Sequence, residues 1–301
     1  MDLNVHIGEK SLGNPIGVAS GTFGYGSEYE QLIDFSAVGA IYTKAVTLLP
    51  RAGNDIPRMV ETPSGLLNSI GLANVGVQRF INEKMASLSK LSCAIIPNVA
   101  GSTEEEYGMV IDALEACKDI WGYEINISCP NVMHGGMAFG TDPRHVECIV
   151  SLARKKTGKP LIIKLTPNVT DITVIAKAAQ HAGADACSCI NTLVGMAIDV
   201  RRKRTVLPGK TGGLSGPAIR PVGVAMVYSV RRAVTIPVIG IGGILCAGDA
   251  LEYLLAGASA IQIGTGNFIN PMIAREVLDG ITVFCEREKL SCIRDFHQFI
   301  Q

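Results

Sequence analysis

The chain has 301 residues, with 27 Lys+Arg against 27 Asp+Glu and a formal net charge of zero. That balance argues against a dedicated nucleic-acid or anionic-membrane binder, which needs an excess of Lys and Arg. Hydrophobic residues make up 48% and charged residues 18%, so disorder is excluded and a large core with a lightly charged rim is expected. Length alone allows two domains or one α/β barrel of roughly 250 residues.

In chain order, short apolar runs ending in small or polar residues alternate with helical patterns. Strands are predicted over Pro15–Ser20 and Ala40–Val46. A long loop rich in Pro, Gly and Asn follows over Thr47–Gly76, then a helix over Val77–Ser89 and a strand over Cys93–Val99. Loops of that length are usually functional. Next come a helix over Thr103–Cys117, a strand over Tyr123–Ser128 and a helix over Pro143–Lys156. Thr103 before a run of glutamates, and Asp142 before Pro143, are helix-start signals. Strand Leu161–Thr166, helix Thr173–Ala182 and strand Ala186–Asn191 continue the alternation. Helix Pro217–Ala233, strand Pro237–Gly240, helix Gly248–Ala256, strand Ala260–Gly264 and helix Pro271–Glu288 complete it. Alternating strands and helices imply parallel pairing with right-handed crossovers. Eight such units predict an α/β fold, a closed (β/α)8 TIM barrel, with residues 1–301 as a single domain.

Such barrels carry their sites at the carboxyl ends of the strands. Lys44 and Lys164 interrupt strands that should be buried. A buried ammonium needs an anion, either a nearby carboxylate or a ligand, and a ligand is favoured because perturbed charges cluster at sites. Glu124 is the only acidic residue inside another predicted strand. Glycines in Gly212-Gly213-Leu214-Ser215-Gly216-Pro217, Gly240-Ile241-Gly242-Gly243 and Gly264-Thr265-Gly266 suit a phosphate monoester through bare N–H groups, although turn glycines are common. No G-x-G-x-x-G opens a helix, and no C-x4-C-x2-C cluster is present, so neither a Rossmann site nor an iron–sulfur centre is expected here. No metal-ligand set is assigned. Nine cysteines, an odd number, and a polar, charged start point to free thiols in a reducing cytoplasm. Tyr253–Ala274 is charge-free but broken by Pro, Asn and Gly, so a membrane span is not expected. Cys187 and Cys189 share a strand face and are expected to be packing residues. Cys129 differs. It follows a strand end, between Asn126 and Asn131, and precedes the glycine-rich segment His134–Gly140, which suits a lid.

Taken together, the Asn126–Asn131 run, Lys44, Asn68-Ser69-Ile70-Gly71-Leu72, Lys164, Asn191-Thr192 and the glycine corner resemble the class 1 dihydroorotate dehydrogenases over essentially the whole chain. Segments His134–Gly140 and Thr211–Ile219 resemble the NAD-dependent class 1B catalytic subunit. Ala73 and Met137 depart from the commoner 1B pattern, which bears on lid contacts rather than on the reaction. The resemblance implies a bound FMN and oxidation of (S)-dihydroorotate to orotate in pyrimidine biosynthesis. It implies Cys129 as the base for the C5 proton, with the C6 hydride passing to flavin N5. Lys44, Asn68, Ser69, Ile70, Gly71, Leu72, Asn126, Asn131, Asn191 and Thr192 match the substrate pocket. Ser20, Lys44, Ala45, Asn98, Asn126, Lys164, Ile190, Gly216, Gly242, Gly243, Gly264 and Thr265 match FMN contacts. Because no NAD or iron–sulfur motif is visible, the class 1B resemblance implies a partner subunit carrying FAD and a [2Fe–2S] cluster. It also implies a dimer of this chain within a heterotetramer, with NAD as final acceptor.

The chemistry agrees with these roles. An ammonium at Lys44 suits the substrate carboxylate, and asparagine amides suit the ring's mixed donors and acceptors. Rival readings are a fumarate-linked class 1A enzyme, a related barrel acting on dihydropyrimidines, a flavin-free Schiff-base lyase using Lys44 or Lys164, and a non-catalytic scaffold.

Overall fold

In a computed structural model of the chain, residues 1–29, 33–128 and 139–300 are described. Cys129, Asn131 and most of the expected lid segment lie outside them. An N-terminal hairpin pairs β1 (Val5–Ile7) with β2 (Lys10–Leu12). Next come β3 (Ile16–Val18), β4 (Ala40–Tyr42), β5 (Met59–Thr62), β6 (Gly65–Asn68), β7 (Ala94–Ile96), β8 (Asn98–Val99) and β9 (Tyr123–Asn126). The remaining strands are β10 (Leu161–Leu165), β11 (Ala186–Cys189), β12 (Leu193–Met196), β13 (Ile198–Asp199), β14 (Arg204–Thr205), β15 (Thr211–Ser215), β16 (Val238–Ile241) and β17 (Ala260–Ile263).

One parallel sheet runs in the order β7-β4-β3-β17-β16-β11-β10-β9-β8. Its two outermost members, β7 and β8, are separated only by Pro97. Proline has no N–H to give a ladder and interrupts the strand. Ile95 and Ile96 pair with β4, while Asn98 and Val99 pair with β9. The sheet therefore closes on itself through Pro97, and the predicted strand Cys93–Val99 is one barrel strand in two pieces.

The strands are buried on both faces, so they read as near-continuous apolar runs. Inside the barrel, Ala40, Tyr42, Ile96, Ile162, Ala186, Ile239 and Ala260 pack with Val5, Ile7 and Leu12 of the hairpin, which plugs one end. Gly17 is required there, because a Cβ would lie 2.8 Å from the Tyr42 ring. Apolar filling then gives way to Glu124, Ser188 and Gln262, all fully buried.

The segment Thr47–Gly76 is more ordered than a loop. It contributes β5 and β6 to a four-stranded antiparallel sheet in the order β12-β15-β6-β5. Asn74 pins its base by accepting from Thr47 Oγ1 at 3.1 Å and from the Gly76 N–H at 2.8 Å. Gly212 and Gly213, grouped from sequence with the glycines suited to a phosphate, lie inside β15. A Cβ on Gly213 would collide with the Thr192 side chain, so these glycines serve close strand approach. The predicted helix Val77–Ser89 widens into a π turn over Phe80–Lys84. Thr103 and Asp142 cap helices Glu104–Leu114 and Pro143–Arg154 by accepting from the N–H groups of Glu106 and Arg144. Among the described residues no helix is long and apolar enough to cross a membrane.

Candidate active site

Lys44 lies just beyond β4, next in the alternation after the inward-facing Ala40 and Tyr42. Its N–H donates to the Gly24 carbonyl at 2.9 Å. The residue is half-buried, and its ammonium has no carboxylate within 4 Å among the described residues. A partly desolvated cation of this kind is suited to an anionic ligand.

A row of amides crosses the neighbouring strand ends. Asn98, buried on β8, donates through Nδ2 to Glu124 Oε2 at 2.6 Å. Asn126 Nδ2 donates to Asn98 Oδ1 at 3.4 Å, and Asn191 Nδ2 donates to Asn126 Oδ1 at 3.3 Å. The Asn191 oxygen accepts from the Thr192 N–H at 2.8 Å. Tyr107 Oη donates to the Asn126 carbonyl at 2.9 Å and fixes the end of β9. The inter-amide bonds are near the long limit, so the amides are aligned while keeping donor and acceptor capacity. The Cys189–Ile190 peptide before Asn191 is cis, and Ile190 is buried.

Lys164 on β10 departs from the expectation of a purely ligand-directed cation. Its Nζ lies 3.6 Å from Glu124 Oε2, with side chains 7% and 0% exposed. Proximity of β9 and β10, with Asn126 opposite Lys164 in register, brings the two together. The contact is Coulombic rather than a hydrogen bond.

Asn68 ends β6 of the antiparallel sheet, and residues 69–72 follow it as a turn rather than as part of a barrel strand. Asn68 Nδ2 donates to the Gly213 carbonyl at 3.1 Å. Asn54 Nδ2 donates to Ser69 Oγ at 2.7 Å, and the Asn54 N–H donates to the Ile70 carbonyl at 3.1 Å. Gly71 has φ +70° and Leu72 φ +53°, and Asn74 Nδ2 donates to the Leu72 carbonyl at 2.7 Å. Asn54 and Asn74, which brace this segment, were not singled out from sequence. Ser20 and Ala45 follow β3 and β4 at the same barrel end.

The glycine corner separates into two kinds. Gly216, Gly242 and Gly243 have φ of +92°, +126° and +69°. A Cβ on Gly243 would sit 2.7 Å from the Gly216 carbonyl oxygen. These three are glycine for backbone reasons. Gly264 is different: its φ is outside the left-handed region, and an added Cβ would meet only Ala19 Cβ at 3.7 Å and Thr22 Cγ2 at 3.9 Å. Nothing among the described residues demands glycine there. Moreover, the N–H groups of Gly243, Gly264 and Thr265 donate no hydrogen bond among the described residues. Gly243 and Thr265 are buried, and Thr265 Oγ1 is fixed by donating to Ser215 Oγ at 2.8 Å. Buried, undirected N–H groups beside free space fit a phosphate, so the corner fits the FMN that the sequence resemblance implies.

Several thiols are held toward the protonated form by their surroundings. Burial pushes Cys93 and Cys187 up to about 12 and Cys189 well above its usual range. A hydrogen bond to Glu104, with burial, pushes Cys148 up to about 11. Cys187 and Cys189 are fully buried packing residues, as expected.

Comparison with known proteins gives the same direction. The family model for dihydroorotate dehydrogenase matches residues 2–284. The Geotalea daltonii protein named dihydroorotate dehydrogenase B (NAD(+)), catalytic subunit, is 51% identical over 294 residues, covering 98% of this chain and 96% of the relative. The protein of that name from Trichlorobacter lovleyi is 53% identical over 279 residues, covering 93% of this chain and 92% of the relative. The crystal structure of Eimeria tenella DHODH in complex with ferulenol superposes with a TM-score of 0.81 at 22% identity, covering 98% of this chain and 87% of that one. The fold is thus the TIM barrel expected from the strand–helix alternation. With a family match across nearly its whole length and relatives half identical to it, the chain belongs to the dihydroorotate dehydrogenase family.

Proposed function

We propose that the chain oxidises (S)-dihydroorotate to orotate as an FMN-dependent catalytic subunit, with Cys129 as the base that removes the C5 proton. The observation that carries this reading is the row of amides across adjacent strand ends, at the same barrel mouth as a lysine with no carboxylate neighbour among the described residues. It stands in a chain half identical to proteins bearing that catalytic-subunit name.

Lys44 would meet the substrate carboxylate with a charge-assisted bond. Asn68, Asn126, Asn131, Asn191 and Thr192, with the Ser69-Ile70-Gly71-Leu72 backbone, would match the ring's imide and amide groups and hold C5 toward Cys129. The thiolate is the form of cysteine that accepts the proton. Ser20, Ala45, Asn98, Lys164, Ile190, Gly216 and Gly242 would line the flavin, and Gly243, Gly264 and Thr265 would donate N–H groups to its phosphate. The chemistry FMN supplies when bound is acceptance of the C6 hydride. The relatives' naming as an NAD(+)-linked catalytic subunit supports onward transfer to NAD through a second subunit. We assign that subunit FAD and a [2Fe–2S] cluster, and place a dimer of this chain within a heterotetramer in the cytoplasm.

The test is the visible spectrum of the purified chain, followed by anaerobic addition of dihydroorotate. A yellow protein that bleaches stoichiometrically supports the reading; a colourless protein, or one trapped by borohydride as a substrate adduct, overturns it. Full-rate reduction of NAD, or of fumarate, by the chain alone would overturn the two-subunit arrangement.

A further inference from the structure

Glu124 is a fully buried carboxylate with no part in the chemistry above. Its surroundings are unusual for a structural ion pair. Oε1 accepts from Ser188 Oγ and from Gln262 Nε2, each at 2.8 Å, and Oε2 accepts from Asn98 Nδ2 at 2.6 Å. Three neutral donors from three other strands thus solvate the charge. Lys164 Nζ stands 3.6 Å from Oε2, near enough for Coulomb attraction and too far for a hydrogen bond. The carboxylate offsets the lysine's charge while, among the described residues, leaving the ammonium's N–H groups uncommitted. Burying a carboxylate costs several kcal/mol, and an apolar side chain of similar size would fill the space without that cost. The charge therefore acts on what lies beside it, which besides Ser188 and Gln262 includes Lys164 and Asn98, both assigned to the flavin.

We propose that Glu124 is a positioning residue that sets the electron affinity of the bound flavin, by partly neutralising Lys164 and by orienting the Asn98 amide toward Asn126. This rests on the FMN reading. A lone ammonium beside the flavin favours the reduced form, which carries more negative charge, and the carboxylate moderates that preference. The Lys164–Glu124 pair therefore holds the potential below the value Lys164 alone would impose.

Glu124→Gln removes the charge with little change in shape, and the neighbours can accept it. Among the described residues Gln262 Oε1 has no hydrogen-bond partner, so a turned Gln262 amide can accept from the new Gln amide, and the Ser188 hydroxyl can rotate. The experiment is anaerobic titration of FMN-loaded wild type, Glu124→Gln and Glu124→Asp against redox dyes, with FMN dissociation constants in both oxidation states. Glu124→Gln is expected to shift the affinity ratio about tenfold toward reduced FMN, a rise of about 30 mV for a two-electron couple. Glu124→Asp keeps the charge but withdraws it, so its potential should lie between the other two. It carries the test if Glu124→Gln does not fold. A potential equal to or below wild type in Glu124→Gln, or in Glu124→Asp where Glu124→Gln does not fold, would overturn the proposal, even if stability changed. A wild-type chain that binds no FMN would overturn both this proposal and the reading beneath it.

Discussion

Gly264→Ala separates the two meanings a glycine can have at this barrel mouth. An added methyl would meet Ala19 Cβ at 3.7 Å and Thr22 Cγ2 at 3.9 Å, both ordinary contacts, and the backbone is outside the left-handed region. Without flavin, the substitution should therefore stabilise the chain by about 0.4–1 kcal/mol, through reduced freedom of the unfolded state. In a chain of this size that is a Tm rise of roughly 0.6–1.6 °C. The same methyl would occupy space assigned to the phosphate. Overpacking of about 1–3 kcal/mol corresponds to roughly 5- to 150-fold weaker FMN binding. Urea unfolding of flavin-stripped protein and fluorescence titration with FMN read the two effects. Gly243→Ala is the contrasting control: with φ +69° and the Gly216 oxygen 2.7 Å from the new Cβ, it should lose stability with or without flavin. Wild-type FMN affinity in Gly264→Ala, or loss of stability in its flavin-free form, would refute the assignment of this corner.

The remaining predictions concern the reaction and one helix start. Cys129→Ala should slow flavin reduction by dihydroorotate by about 10²-fold or more while FMN stays bound; stopped-flow bleaching measures it, and an unchanged rate would remove Cys129 from the mechanism. For wild type, a free thiol titrates near about 8.5, so reduction should accelerate from neutral to alkaline pH, and a flat profile would contradict a thiolate base. Lys44→Met should lower kcat/KM for dihydroorotate by roughly 10- to 100-fold through loss of one charged hydrogen bond, and steady-state kinetics at saturating acceptor would detect it. Asp142→Ala should cost about 1 kcal/mol at neutral pH by uncapping helix Pro143–Arg154. The side chain and N–H of Arg144 hold the Asp142 carboxyl down at about 2. That contribution is therefore present above the ordinary value of 3.8 and is lost as pH falls toward 2. Chemical denaturation at pH 7 and pH 3 should show the gap narrowing, and a gap independent of pH would exclude the linkage.

Much was legible without coordinates because it is local. Strand burial, helix spacing and capping depend on residues within a few positions of each other. Thus the barrel, Lys44, the row of asparagines and the caps at Thr103 and Asp142 could be read directly. The order within Thr47–Gly76 could not, because β6 finds its partner in β15, with Leu67 opposite Leu214 far along the chain. Glu124 stood out as the one acidic residue within the other strands, yet its role stayed hidden because its partners are remote. Gln262 lies 138 positions away and Ser188 lies 64 away.

The amino-acid order by itself therefore determined which segments become strands and helices, and which polar groups crowd one end of the barrel, since alternation and strand-end chemistry are properties of short windows. Tertiary structure alone decided that the sheet closes through Pro97, that Lys164 has a carboxylate beside it, and which glycine leaves space that no described residue fills. Closure, charge pairing and free volume are set by distances between segments far apart in the chain, and no periodicity within a segment encodes those distances.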